Sequence, residues 1–336
     1  MPEQLSETLH FTKNWQQQLA EAFNNIEDLC HYLHLSLNDL PVSVAAGESF
    51  PLRVPLSFAA SMQKGNPHDP LLRQVLPIKD ELFTYSGFSN DPVGDLPSAA
   101  QAGVLHKYHG RVLFINTGSC AINCRYCFRR NFPYSDLQLG KQKESAGIQY
   151  IQENPGISEV ILSGGDPLLL SDARLTKLLQ QLSAIRHLKR IRIHTRLPIV
   201  LPARITDELV NTFAQSAKQI VIVVHCNHAN EINPRVIAAC KLLKKNGITL
   251  FNQSVLLKGV NDNIAALCEL SEQLFSQGII PYYLHLLDKA IGTGHFEVSE
   301  TKAVALIKQA QATLPGYLVP KLVKEQAGAM SKQYIL

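Results

Sequence analysis

The sequence lacks the features that would place it in a membrane, on nucleic acid or outside the cell. No apolar run approaches the ~20 residues that a membrane-spanning helix needs, and no basic leader is followed by an apolar stretch near the N-terminus. Lysines and arginines are scattered along the sequence, and the net charge is only +4. We therefore expect a cytoplasmic protein whose main partner is neither a membrane nor a nucleic acid.

Disulfide bonds are not expected either, because the seven cysteines are an odd number in a long chain without signs of secretion. Four of them are isolated and are predicted to be small buried apolar residues, namely Cys30, Cys226, Cys240 and Cys268. The other three, Cys120, Cys124 and Cys127, lie within 119-SCAINCRYCFRR-130. A fourth cysteine is missing there, so structural zinc would need a distant histidine to complete its four protein ligands.

The composition is typical of a globular protein with a sizeable core, with 46% hydrophobic and 18% charged residues. Residues 1–100 are predicted to form an N-terminal helical cap and linker. Within them, 13–33 has a helical apolar rhythm, and 87–103 is rich in Gly, Pro, Asn and Asp. Residues 101–290 are predicted to form the main α/β domain, and residues 291–336 a C-terminal helix and terminal segment.

Strand-like and helix-like segments alternate through the main domain. The predicted strands are the β-branched runs 111–116, 159–163, 190–195, 219–225, 248–255 and 281–286. The helical patterns include 171–188, 234–247 and 299–314, with Ser171 and Ser299 as N-caps and Gly247 as a helix stop. This alternation predicts parallel strands joined by right-handed crossovers. Six units fall short of the eight of a closed barrel, so an open partial (β/α)6 barrel and a doubly wound sheet both fit.

Polar or reactive residues follow each predicted strand at its carboxyl end. In strand order they are the cysteine loop, 163-SGGDP-167, 194-HTR-196, His225 with His228, Gln253 and Asp288. Parallel α/β proteins bind their ligands at this edge of the sheet. The convergence of six such strand ends favours an enzyme over a scaffold.

Three thiolates on one short loop can hold a [4Fe–4S] cluster, which normally takes four, and then one iron stays open to a small molecule. An aromatic residue, Tyr126, precedes the last cysteine and completes a CxxxCxΦC pattern. This segment resembles the radical S-adenosylmethionine (SAM) enzymes, which implies the open partial barrel as the fold. The resemblance also implies that SAM chelates the open iron and that an electron from the cluster splits it, releasing a 5′-deoxyadenosyl radical.

The same resemblance gives the glycine-rich strand end a role in binding the cofactor. Gly164 and Gly165 have no side chain, so backbone can approach a ligand closely, and in the family this strand end contacts the methionyl group of SAM. Asp166, His225 and Gln253 are predicted as further cofactor-binding residues on the same grounds.

Longer segments resemble the lysine 2,3-aminomutase family, and within it most resemble the bacterial elongation factor P (R)-β-lysine aminomutases. The resemblance covers most of residues 85–332. It is carried by 106-HKYHGRVLFINTGSCAINCRYCFRR-130, 163-SGGDPL-168, 193-IHTRLPIVLPARIT-206, 225-HCNHANEI-232, 252-NQSVLLKGVND-262 and 323-VKEQAGAMSK-332.

Membership of that family would imply pyridoxal phosphate as a second cofactor. The family lysine that carries it covalently corresponds to Lys332, and Lys107 and Arg111 match the basic positions that contact its phosphate. The family often has a glycine run before this lysine, whereas this sequence has 327-AGAMS-331.

The substrate implied by the resemblance is lysine. Arg129 matches the position that holds the substrate carboxylate, for which a guanidinium is well shaped. Asp288 and Glu325 match the two acids that meet the distal ammonium, and two acids there would disfavour glutamate. The resemblance implies conversion of L-α-lysine to (R)-β-lysine for the modification of elongation factor P, in a pathway with a lysyl-ligase. It also implies a reductant such as flavodoxin or ferredoxin, and a homo-oligomer is compatible with it.

Two other functions fit parts of the sequence. One is a radical SAM enzyme that does not use pyridoxal phosphate. The other is a non-catalytic zinc or iron–sulfur module that senses metal or oxygen, which would need only the three cysteines.

Overall fold

The structure is a computed structural model that describes residues 7–8, 10–95, 98–101, 103–132 and 141–336. Residues 1–6 and 9 of the predicted cap, residues 96, 97 and 102 of the predicted linker, and residues 133–140 of the predicted main domain lie outside this part. Within it, the α-helices are α1 (Trp15–Ala20), α2 (Ile26–Tyr32), α3 (Val44–Ser49), α4 (Leu56–Ala59), α5 (Pro70–Arg73), α6 (Lys141–Glu153), α7 (Asp172–Ser183), α8 (Leu197–Val200), α9 (Asp207–Ala214), α10 (Pro234–Lys245), α11 (Ile264–Ser276) and α12 (Glu300–Thr313).

The β-strands form one sheet in which they lie in the order of the chain. They are β1 (Ala99–Gln101), β2 (Val104–Tyr108), β3 (Arg111–Thr117), β4 (Glu159–Gly164), β5 (Arg190–Thr195), β6 (Gln219–Val224), β7 (Thr249–Val255), β8 (Ile279–His285), β9 (Lys321–Lys324) and β10 (Gln333–Tyr334).

The strand order decides between the two architectures that the sequence left open. All pairings from β3 to β9 are parallel, and β1, β2 and β10 add antiparallel edges. A doubly wound sheet reverses its strand order at a switch point, whereas this order never reverses. The predicted open partial barrel is therefore confirmed. Its six predicted strands are β3 to β8, and β9 is a further parallel strand that was not predicted.

The sheet is curved, because residues near its opposite edges touch. The hydroxyl of Tyr108, at the end of β2, donates a hydrogen bond to Glu325, which directly follows β9. In a flat sheet these strands would be more than about 30 Å apart at a spacing of ~4.8 Å. One face of the sheet is therefore concave and surrounds a space, with helices packed on the outside.

Local sequence explains where the outer helices begin. The side chains of Ser171 and Ser299 accept hydrogen bonds from the backbone of α7 and α12, as the sequence predicted. Gly247 follows α10 with a φ of 76°, a left-handed conformation that stops a helix at little cost to glycine. The apolar rhythm of residues 13–33 forms two helices, α1 and α2, and the side chain of Asn25 caps the second of them.

The N-terminal helices share a hydrophobic core with the barrel. Trp15 and Leu71 belong to the same cluster of buried residues as Val112 of β3 and Leu162 of β4. The domain boundaries near residues 100 and 290 remain a prediction. In the described part of the chain, no helix is both long and apolar enough to cross a membrane.

Candidate active site

The concave face of the sheet and the loops at its carboxyl edge enclose a cavity of about 900 Å³. Every residue that the sequence predicted as a site residue lines it. These residues are Lys107, Arg111, Cys120, Cys124, Cys127, Arg129, Gly164, Gly165, Asp166, His225, Gln253, Asp288, Glu325 and Lys332. The structure thus brings the cysteine loop and the C-terminal lysine into one space, although over 200 residues separate them in sequence.

The cysteine loop follows β3 and turns its thiols towards the cavity. Burial and the neighbouring charge of Cys124 raise the pKa of Cys127 to about 11. Burial also raises the pKa of Cys120, with a further contribution from Cys127. Burial and the neighbouring sulfurs thus disfavour the anionic form of Cys120 and Cys127 in the absence of a metal. A cationic iron–sulfur cluster would compensate the charge of thiolate ligands here.

The described residues do not offer the geometry of a mononuclear metal site. Among them, no three side chains of His, Cys, Asp or Glu lie close enough together to share a single metal ion. A cubane cluster binds each thiolate at a different iron, so its ligands do not need to converge in that way.

Segments between and after the N-terminal helices hold the cysteine loop in place. The backbone N–H of Asn123 donates to the carbonyl of Arg53 at 3.0 Å, and the backbone N–H of Arg125 donates to the carbonyl of Gln74 at 2.8 Å. The fully buried guanidinium of Arg125 donates to Glu81 at 2.8 Å, and Arg130 pairs with the same carboxylate at 2.8 Å. The sequence did not predict this role for the N-terminal region.

The glycine-rich end of β4 packs against the cysteine loop. A Cβ atom at Gly165 would lie 2.2 Å from the carbonyl oxygen of Ser119, and Gly164 has a φ of 117° that side chains rarely allow. The glycines thus permit a close approach between two backbone segments as well as lining the cavity. The carboxylate of Asp166 accepts hydrogen bonds from the hydroxyl of Thr195 and the backbone of Arg196, which joins the ends of β4 and β5.

His225, after β6, contacts the aromatic residue of the cysteine motif. Its Nε2 lies 3.0 Å from the hydroxyl of Tyr126, and the two rings stack at a centroid distance of 5.5 Å. Burial, with the nearby cation of Arg196, lowers the pKa of His225 to about 3, so the imidazole is neutral. Gln253 lines the cavity from β7.

Lys332 reaches the cavity because β9 and β10 form a hairpin along the open side of the barrel. Its Nζ lies 2.5 Å from Oε2 of Glu325, whose other oxygen accepts from Tyr108. Burial alone would raise the pKa of Glu325, but the charge of Lys332 and the hydrogen bonds from Lys332 and Tyr108 bring it below its usual value. Glu325 is therefore a carboxylate that pairs with the lysine amine.

Asp95 connects two of the predicted anion-binding cations and was missed by sequence reasoning. Its carboxylate lies 2.5 Å from Nζ of Lys107 and 2.9 Å from the guanidinium of Arg129. Arg111 lies over the ring of Tyr108, with 4.9 Å between the guanidinium carbon and the ring centroid. Basic groups thus collect at this side of the cavity, and the buried Asp95 holds two of them, Lys107 and Arg129.

Two histidines that the sequence did not assign also face the cavity. Nε2 of His194 and Nε2 of His285 are buried and find no hydrogen-bond partner within the described residues. Burial and nearby cations hold the pKa of both imidazoles well below the usual value, so both are neutral. Buried polar atoms are rarely left unpaired, and these two are suited to hydrogen-bond a bound molecule.

Known proteins match the sequence over most of the chain. The family model described as the Radical SAM superfamily matches residues 115–270. L-lysine 2,3-aminomutase from Escherichia coli is 48% identical over 95% of this chain and 94% of its own length. The protein of the same name from Haemophilus influenzae is 46% identical over 95% of each chain. That from Clostridium subterminale is 32% identical over 96% of this chain and 78% of its own length.

Proposed function

The chain belongs to the L-lysine 2,3-aminomutase family of radical SAM enzymes, and from this premise we propose that it converts L-α-lysine to (R)-β-lysine. The observation that carries the proposal is the sequence identity of 48% and 46% to the Escherichia coli and Haemophilus influenzae enzymes over 95% of this chain. It is supported by one cavity that contains the cysteine loop, Lys332 and the predicted lysine-binding charges.

The cofactors would share this cavity. Cys120, Cys124 and Cys127 would hold the [4Fe–4S] cluster, with Gly164 and Gly165 beside the SAM that it binds. When bound, cluster and SAM supply a radical that removes an unactivated hydrogen, and pyridoxal phosphate stabilises the radical during nitrogen migration.

We also propose that pyridoxal phosphate is bound through Lys332. The amine of Lys332 faces the cavity, and Lys107 and Arg111 supply cations for the phosphate. The unpaired nitrogens of His194 and His285 would offer hydrogen bonds to the ligand. Glu325 pairs with the amine of Lys332 in this structure, which shows that its carboxylate can hold an ammonium group at this side of the cavity.

Substrate lysine would be held at both ends. The guanidinium of Arg129, fixed on one side by Asp95, would receive the α-carboxylate. Asp288 and Glu325 would receive the ε-ammonium. Two acids at this end would repel the side-chain carboxylate of glutamate, which makes the site selective for lysine.

A pH dependence follows from Asp288. Burial raises the pKa of Asp288 to about 7, with Glu325 and Asp95 adding to the shift and the charges of Lys332 and Lys107 opposing it. Below that pH the carboxyl group is neutral and cannot pair with the ε-ammonium. We therefore expect kcat/KM for lysine to rise with pH through about 7, since this parameter reports ionisations of the free enzyme.

The matching variant is Asp288→Asn, which cannot ionise. Loss of a charge-assisted hydrogen bond should lower kcat/KM by roughly 10- to 100-fold at pH 8, and the limb near pH 7 should disappear. An unchanged limb in this variant would assign the titration to another group.

We further propose that the product serves the modification of elongation factor P through a lysyl-ligase, and that a flavodoxin or ferredoxin supplies the electron. The resemblance to the bacterial elongation factor P aminomutases supports this assignment.

The function is tested by anaerobic incubation with lysine, SAM and a reductant, followed by chiral analysis of the amino acids. With lysine, the expected product is (R)-β-lysine. In a parallel assay with glutamate, no β-glutamate is expected. Formation of 5′-deoxyadenosine without β-lysine, in protein that retains no pyridoxal phosphate, would instead favour the radical SAM enzyme without that cofactor. Absence of both products would favour the metal-binding sensor.

A further inference from the structure

Arg196 makes a direct contact with one of the three clustered cysteines. It lies between β5 and α8, is 7% exposed, and its Nη1 donates a hydrogen bond to Sγ of Cys124 at 2.7 Å. The sequence predicted only that 194-HTR-196 ends a strand near the site. No role was assigned to this arginine in the reaction.

The guanidinium is fixed in this position from several sides. Nη2 donates to Oε1 of Gln74 at 2.7 Å and to Oε2 of Glu231 at 3.0 Å. The same group lies over the rings of Phe58 and Tyr126, at 5.2 and 5.7 Å from their centroids. Four side chains from different places in the chain therefore hold one cation against one sulfur.

This arrangement differs from that of Arg125, a fully buried arginine within the cysteine loop. Arg125 directs its guanidinium only to oxygen atoms, those of the Glu81 carboxylate and of the backbone carbonyls of Phe50 and Ala46. A purely structural arginine is satisfied in that way. In Arg196, one of the two terminal nitrogens instead donates a hydrogen bond to the sulfur of a predicted cluster ligand.

We propose that Arg196 is a positioning residue that raises the reduction potential of the iron–sulfur cluster by donating a charged hydrogen bond to Cys124. The inference rests on the proposed function, which places the cluster on this loop. Reduction adds one negative charge to a buried site, and a cation hydrogen-bonded to a ligand sulfur stabilises the more negative state. Glu231, on the far side of the guanidinium, partly offsets that effect.

The test is a redox titration of anaerobically reconstituted protein, followed by electron paramagnetic resonance of the reduced cluster. In Arg196→Gln the ratio of reduced to oxidised cluster at a fixed potential should fall about tenfold, a shift of about 59 mV for one electron. In Glu231→Gln the ratio of reduced to oxidised cluster should rise, because the positive charge of the guanidinium is no longer partly compensated by a carboxylate. Arg192→Gln is the matched control, since Arg192 lies on β5, four residues before Arg196, and lines the same cavity but pairs with Glu159. Its ratio should stay within twofold of the wild type.

An unchanged potential in Arg196→Gln with full iron content would overturn the proposal. If that variant holds no cluster, the Glu231→Gln result decides, and an unchanged or lowered ratio there overturns it. A wild-type protein that contains no [4Fe–4S] cluster would contradict the proposed function itself, which is a different outcome.

Discussion

Replacing Lys332 with alanine is expected to abolish β-lysine formation and the retention of pyridoxal phosphate, while iron and sulfide content stay at the wild-type level. Covalent attachment fixes the cofactor in the cavity, and its loss should lower the rate at least roughly 10³-fold. The cysteine loop lies elsewhere on the cavity wall and is held by the N-terminal region, so the cluster should persist. Borohydride trapping followed by mass spectrometry measures the attachment.

Lys324→Ala is the matched control for this variant. Lys324 lies on β9 in the same hairpin, but its amine pairs with Glu300 at 2.9 Å on the exposed surface. We expect wild-type activity and normal trapping there, since exposed ion pairs contribute little. A trapped adduct that persists in Lys332→Ala would show that another lysine carries the cofactor.

The sequence was sufficient to predict the strands that form the wall of the barrel. Strands β3 to β8 are runs of six or seven residues, most of them rich in β-branched residues, with buried side chains at alternate or successive positions. Such runs are recognisable without tertiary information. Strands β1, β9 and β10 have four residues or fewer and form only because a neighbouring strand is already in place. Their pairing, which brings Lys332 to the cavity, could not be predicted from local pattern.

The candidate site, like the sheet, was only partly predictable from the sequence. The three cysteines were found because their spacing is itself a signal, whereas Asp95 falls in a segment that reads as a linker. Its partners Lys107 and Arg129 lie on β2 and after the cysteines, and no periodicity relates them to it. Contacts between charges distant in sequence depend on how the sheet curves, which composition and spacing do not encode.

The N-terminal region contributes the contact with the largest expected effect on stability. Glu81 accepts hydrogen bonds from both Arg125 and Arg130, and all three side chains are almost fully buried. Glu81→Gln would keep the shape of the side chain but leave two buried guanidinium groups without their shared acid. Removing one partner of a buried ion pair typically costs about 3–5 kcal/mol. We expect a loss of that order in the free energy of unfolding, measured by urea denaturation under anaerobic conditions.

The cluster should respond to the same change, because Arg125 lies between Cys124 and Cys127 and its backbone moves with them. Iron bound after reconstitution should fall well below one cluster per chain in Glu81→Gln. Glu297→Gln is the control, since Glu297 pairs with Lys289 at 2.8 Å and both side chains are largely exposed, so that its effect should stay within about 0.5 kcal/mol. Full iron content in a destabilised Glu81→Gln protein would separate the two roles, and the N-terminal helices would then stabilise the fold without shaping the cysteine loop.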